Sequence, residues 1–110
     1  MELSYEVQDS YAEIRAAGRL NMVSAPKLRE FVADVVASGS SRIVVNLADT
    51  SFMDSSGLGA LIGCLKAARQ AGGDLRIAAV QPQVKMVLEL TSMDRVLTSY
   101  ASAAEAFGND

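Results

Sequence analysis

Residues 42–65 read RIVVNLADTSFMDSSGLGALIGCL. The first six, "RIVVNL", are short, β-branched and almost wholly apolar, the pattern of a strand covered on both faces. From Leu58 onward the apolar residues Leu58, Leu61, Ile62 and Leu65 fall at helical spacing. Between them lies "SFMDSSGLG", residues 51–59, with two serines beside a carboxylate and glycines behind. A buried strand that turns into an amphipathic helix is half of a strand–helix–strand unit, so this stretch places the chain among α/β proteins.

The flanking sequence repeats the unit. Upstream, Leu3, Tyr5 and Val7 alternate with polar residues, "QDS" turns, and Ala12, Ile14 and Ala16 alternate with Glu13 and Arg15. These are two half-buried strands forming an antiparallel pair. Ser24 before Ala25-Pro26 reads as a capping hydroxyl followed by a first-turn proline. Leu28, Phe31, Val32, Val35 and Val36 make one helix stripe, which Gly39 ends. Downstream, the second helix should end near Ala71-Gly72-Gly73, with "LRIAAV" (75–80) as the next strand. Pro82 opens a third helix with Val84, Val87 and Leu88 inside. "RVLTSY" reads as a short extended segment and "SAAEAF" as a last short helix. The order β-β-α-β-α-β-α-(β)-α implies mostly parallel strands with right-handed crossovers. The expected architecture is one α/β layer pair, a four- to five-stranded mixed β-sheet packed with about four α-helices, as a single domain over 1–110.

Composition excludes several functions. The chain has 110 residues, half of them apolar, which suits one globular core. No apolar run approaches the ~20 residues of a membrane span. "MELSYEVQDS" lacks the basic-then-apolar pattern of a signal peptide. A single cysteine, Cys64, allows no internal disulfide, fits a reducing cytoplasm, and reads as a small buried residue rather than a redox sensor. Net charge is −3 with no cluster of Lys or Arg, which argues against nucleic acid as a partner. There is no histidine. That removes the usual base for a serine nucleophile and, with one cysteine, any standard zinc site.

Four chemistries could use the serine stretch. A nucleophile elbow needs glycine two residues before the serine, where Ser55 has Met53 and Ser56 has Asp54. A dinucleotide fingerprint on Gly57 and Gly59 needs a glycine at position 62, which is Ile62. Gly59 and Gly63 are instead expected to share a face that packs closely on the sheet. Helix capping accounts for more: Asp54 can accept from the amides of Ser56 or Gly57, and Met53 with Leu58 makes a hydrophobic staple. Capping leaves unexplained why two serines and a glycine fill a first turn where better helix formers would serve.

The remaining chemistry is regulatory phosphorylation, and here the sequence resembles a known family. "VNLADTSFMDSSGLGALIGCLKAARQAGGDLRIAAV" is similar to the signature of STAS domains, specifically the bacterial anti-sigma-factor antagonists (anti-anti-sigma factors). "GRLNMVSAPKLREFV" resembles that family's G-x-L-[DN] segment and first helix, so the likeness spans essentially the whole chain. The resemblance implies that Ser55 is a phosphoacceptor. It implies that the unphosphorylated protein binds an anti-sigma factor, a serine kinase of the histidine-kinase-like ATPase fold, and so releases the sigma factor. The kinase would inactivate it at Ser55 and a PP2C-type phosphatase would restore it. Asp54, Ser55, Ser56, Gly57 and Leu58, with Asn21 and Met22, are the expected partner-binding residues. Ser56 is expected to be a solvated first-turn residue. Gly57 either keeps the turn open to an active site or serves packing. Arg19 and Asn21 stand where many relatives carry acids, and both should lie beside the serine loop. Met22 and Val23 are either a docking edge or core. No cofactor, metal, catalytic residue or membrane contact is expected, and the molecule should be a bacterial cytoplasmic monomer or weak dimer. The competing reading is a non-switching scaffold or assembly STAS module, from a stress complex or lipid transport. The cytosolic part of an anion transporter is a more distant one.

Overall fold

A computed structural model describes residues 1–108. The elements are β1 (Glu2–Val7), β2 (Ala12–Leu20), α1 (Ala25–Ala37), β3 (Arg42–Asn46), β4 (Thr50–Met53), α2 (Ser55–Gln70), β5 (Asp74–Ala78), α3 (Pro82–Leu90), β6 (Ser99–Tyr100) and α4 (Ala103–Ala106). Five strands run in the order β1-β2-β3-β5-β6, and β4 pairs with β2 off that path. β1 is antiparallel to β2, with Tyr5 opposite Ile14, and every other pairing is parallel. The mixed α/β sheet therefore has the expected order, enlarged to six strands.

The added strand has a local cause. β2 pairs with β3 through Arg15, then shifts register between Gly18 and Arg19 and pairs with β4. Gly18 adopts φ +119°, a conformation that side chains disfavour, and this permits the bulge. Thr50, fully buried, donates its hydroxyl to the Ala16 carbonyl at 2.7 Å and pins the first residue of β4. The segment before β6 also departs from the extended reading. Met93–Arg95 is a 3-10 turn, and only Ser99–Tyr100 pairs.

One face of the sheet carries the main core. Ile14, Ile43, Val45, Leu75 and Ile77 meet Leu28, Val32 and Val35 of α1, Leu61 and Leu65 of α2, and Val84 and Leu88 of α3. The opposite face is covered in part: Val44 and Ala78 pack with Ala103, Ala106 and Phe107 from the α4 segment. The expected single layer pair thus gains a short third layer, which is why β3 is apolar on both sides.

The glycines of α2 correct another expectation. Gly59 and Gly63 do not pack on the sheet; both are exposed, and their nearest neighbour is the Arg29 side chain of α1. They lie off the Leu58–Leu61–Leu65 stripe that faces inward.

Candidate functional site

The serine turn sits where β4 ends and α2 begins, against the last residues of β2. Asp54 is the N-cap in extended conformation, and its Oδ1 accepts the Gly57 amide at 2.9 Å. Its own amide donates to the Leu20 carbonyl at 3.2 Å. Met53 and Leu58, the expected staple, both bury in the main core. Gly57 is also buried, and a Cβ there would overlap the Leu20 carbonyl oxygen. Its role is close packing of the first turn of α2 on β2. Gly57 and Leu58 therefore lie beneath the surface that Ser55 presents.

Ser55, the first residue of α2, is exposed, and Ser56 is half-buried. Among the described residues neither hydroxyl has a hydrogen-bond partner. The neighbouring carboxylate is engaged through its Oδ1 with the Gly57 amide rather than with the Ser55 hydroxyl.

The β2–α1 connection forms the adjoining rim. Ser24 does not cap α1 through its side chain. Its backbone is already helical, at φ −89° and ψ −19°, so the hydroxyl turns back instead. It donates to the Arg19 carbonyl at 2.6 Å and accepts from the Asn21 amide at 3.0 Å. Asn21 supplies the forward bonds: its Oδ1 accepts from the amides of Val23 at 3.0 Å and Ser24 at 3.2 Å. This side chain is committed to turn geometry, with the residue itself half-buried. The turn lifts Met22 and Val23 into solvent, 73% and 77% exposed. Of the two readings open for them, the structure places both at a surface. Arg19 pairs with Phe52 across β2 and β4, its guanidinium 4.4 Å from the ring centroid.

Two contributors carry no sequence signal of their own. Gln83, the second residue of α3, clamps the end of β4: its Oε1 accepts the Met53 amide at 2.8 Å and its Nε2 donates to the Met53 carbonyl at 3.0 Å. The side chain thus completes a strand edge just before the serine turn. Only the proximity of Pro82, a helix start, hints that its side chain is near an element end. Arg29 is the other, and lies along α2. Cys64 is buried as expected, and burial pushes its thiol up to about 11, the nearby Arg29 charge opposing this in part. Such a thiol is unreactive at neutral pH.

A strand–turn–helix unit with a capped, serine-bearing helix start is the shape of a known family. Residues 2–106 match the family model of the STAS domain, and the chain belongs to that family. It is 35% identical over 95 residues to the anti-sigma-B factor antagonist of Staphylococcus aureus (strain NCTC 8325 / PS 47), spanning 84% of this chain and 88% of that one. Among solved structures, an anti-sigma factor antagonist from Mycobacterium paratuberculosis superposes with a TM-score of 0.85 at 24% identity, over 97% of this chain and 91% of the other. The Bacillus cell fate determinant SpoIIAA in its phosphorylated form does so with a TM-score of 0.71 at 23% identity, over 97% of both chains. These two likenesses establish the fold. Among the described residues no helix is long and apolar enough to cross a membrane.

Proposed function

We propose that this protein is an anti-sigma factor antagonist that switches partners through phosphorylation of Ser55. The observation that carries the reading is the free Ser55 hydroxyl, exposed on the first turn of a helix whose cap is already filled by Asp54. The names of the curated relatives support it, as does a fold neighbour solved in phosphorylated form. The unphosphorylated face, Ser55 and Ser56 with Met22 and Asn21, binds an anti-sigma factor of the serine-kinase type. That kinase supplies ATP, metal and base; this chain supplies the hydroxyl. A PP2C-type phosphatase reverses the modification.

The energetics favour an interfacial switch. The amides and dipole at the start of α2 favour a phosphate by roughly 0.3–1 kcal/mol. Asp54, next in sequence, opposes it: a dianion at about 6 Å in water is repelled by on the order of 1 kcal/mol. These terms nearly cancel, so the phosphate leaves the fold alone. Against a docked partner it brings about −1.5 to −2 charge and bulk. A loss of about 4 kcal/mol there is roughly a thousandfold in affinity.

The deciding experiment incubates the protein with the host's candidate anti-sigma kinases and ATP, then maps sites by mass spectrometry. A single phosphate on Ser55 is expected. No modification by any of them would leave the non-switching scaffold as the better reading.

A further inference from the structure

The solvent side of α2 carries Ser55, Gly59 and Gly63, one residue per turn. Arg29, one turn into α1, lies across the two glycines. Its Nη2 is 3.8 Å from where a Gly59 Cβ would be, and its Nε is 3.8 Å from that of Gly63. The guanidinium therefore lies lengthwise along α2, with Nη2 at the end nearer Ser55. Among the described residues it makes no ion pair and no hydrogen bond. Glycine is a poor helix former; a Cβ at either position would meet Arg29 at ordinary contact distance, 3.8 Å, so only a side chain longer than alanine would compete with the arginine for this seat.

We infer that Arg29 is the intramolecular counter-ion of a phosphate on Ser55. The inference rests on the reading of Ser55 as phosphoacceptor and names how the modified state is held. Side chains at i and i+4 lie ~5–6 Å apart on a helix, so Nη2 over Gly59 and a phosphate on Ser55 are one turn apart. A long flexible side chain covers that gap, and a guanidinium presents paired donors that match phosphate oxygens. The phosphate then acts twice. It adds negative charge to the docking face, and it withdraws a cation that the unmodified face offers to a partner.

The other charged groups around this turn are few. Asp54 is next to Ser55, Arg19 at the end of β2 is stacked over Phe52, and Lys66 lies further along α2. On α1, Lys27, Glu30 and Asp34 line a separate recess with Leu3 and Phe31. On α3, Lys85 and Glu89 line a cavity with Tyr100 beside β6. Arg29 is the cation whose seat runs toward Ser55.

The test installs phosphoserine at position 55 during translation, without any kinase, and titrates it by phosphorus NMR. An unpaired phosphoserine has its second pKa near ~6. In the wild-type background the phosphate dianion should bind a proton about three- to tenfold more weakly than in Arg29→Met, a counter-ion effect. Gly59→Leu keeps the charge but blocks the seat, and should titrate like Arg29→Met. Arg29→Lys should recover part of the shift. Asp54 and the helix amides are common to all four proteins and cancel. Identical titrations of wild type and Arg29→Met, both folded by circular dichroism, would overturn the inference. Because the phosphate is installed directly, that failure leaves the kinase reading intact, and a kinase that ignores Ser55 leaves this result standing.

Discussion

Two regions of this molecule use the same ingredients, an arginine over an aromatic ring, to opposite effect. On the back of the sheet, Phe107 is 3% exposed, stacked 6.0 Å from Tyr11, with the guanidinium groups of Arg76 and Arg42 at 4.1 and 4.8 Å from its centroid. Arg76 also donates to the Ala106 carbonyl at 2.6 Å. The chain closes that face with its own last helix. At the serine turn, Arg19 makes a similar contact with Phe52, yet Met22, Val23 and Ser55 stay uncovered. The difference is whether the chain covers the region itself. Closed polar–aromatic packing holds the sheet, whereas the open one is the surface that, under the proposed function, a partner would complete.

This contrast breaks if the open end proves indifferent to Ser55. Calorimetry with the cognate anti-sigma kinase should show Ser55→Ala binding tightly. The phosphorylated protein should lose on the order of a thousandfold, about 4 kcal/mol, and Ser55→Asp should also bind weakly. Equal affinities for Ser55→Ala and Ser55→Asp would count against an electrostatic switch. The reciprocal test attacks the closed end. Phe107→Ala should destabilise the fold by about 3–5 kcal/mol in urea denaturation, while the protein that remains folded binds the kinase unchanged.

β2 and α1 through α3 were legible because each buries a periodic face, and β3 because it is apolar on both sides. β1 was legible as a strand from its alternation, but its expected half-buried face stays largely in water, with Tyr5 44% and Val7 65% exposed. The serine motif was legible as well, since a cap and its staple are local chemistry. β4 was not: its four residues carry no repeat, and what makes them a strand is remote, namely the Gly18 bulge, the Thr50–Ala16 bond and the Gln83 clamp. Ser24 does not cap α1 because its hydroxyl turns back to the Arg19 carbonyl and the Asn21 amide once the turn forms, a bond no local spacing shows. The facing of Gly59 and Gly63 was available from helical spacing, since both fall off the inward stripe. What no spacing shows is that Arg29 of another helix lies on them.

Substitutions at two positions sharpen the comparison from beneath the open end. Gly57→Ala forces a Cβ onto the Leu20 carbonyl, backbone that cannot swing aside. It should cost about 1–3 kcal/mol, as overpacking does, visible as a lowered urea midpoint. Asp54→Ala removes the cap on Gly57 and should cost about 1 kcal/mol. Asp54→Asn, which keeps an acceptor, should cost less. If the two Asp54 variants are equally destabilised, the carboxylate's charge rather than its hydrogen bond is what α2 uses.

The smallest effect on the fold should come from the most exposed residues. Met22→Ser and Val23→Ser remove apolar side chains that are already about three-quarters in water, 73% and 77% exposed. Their burial contributes little to folding, so stability should stay within about 0.5 kcal/mol of wild type. The turn beneath them is held by Asn21 and Ser24, which neither substitution touches. If this rim is part of the docking surface, each change should still weaken kinase binding by about tenfold, roughly 1.4 kcal/mol. A loss of stability without a loss of binding would reverse the assignment, making Met22 and Val23 part of the closed architecture and leaving Ser55 to face its partner on α2 alone.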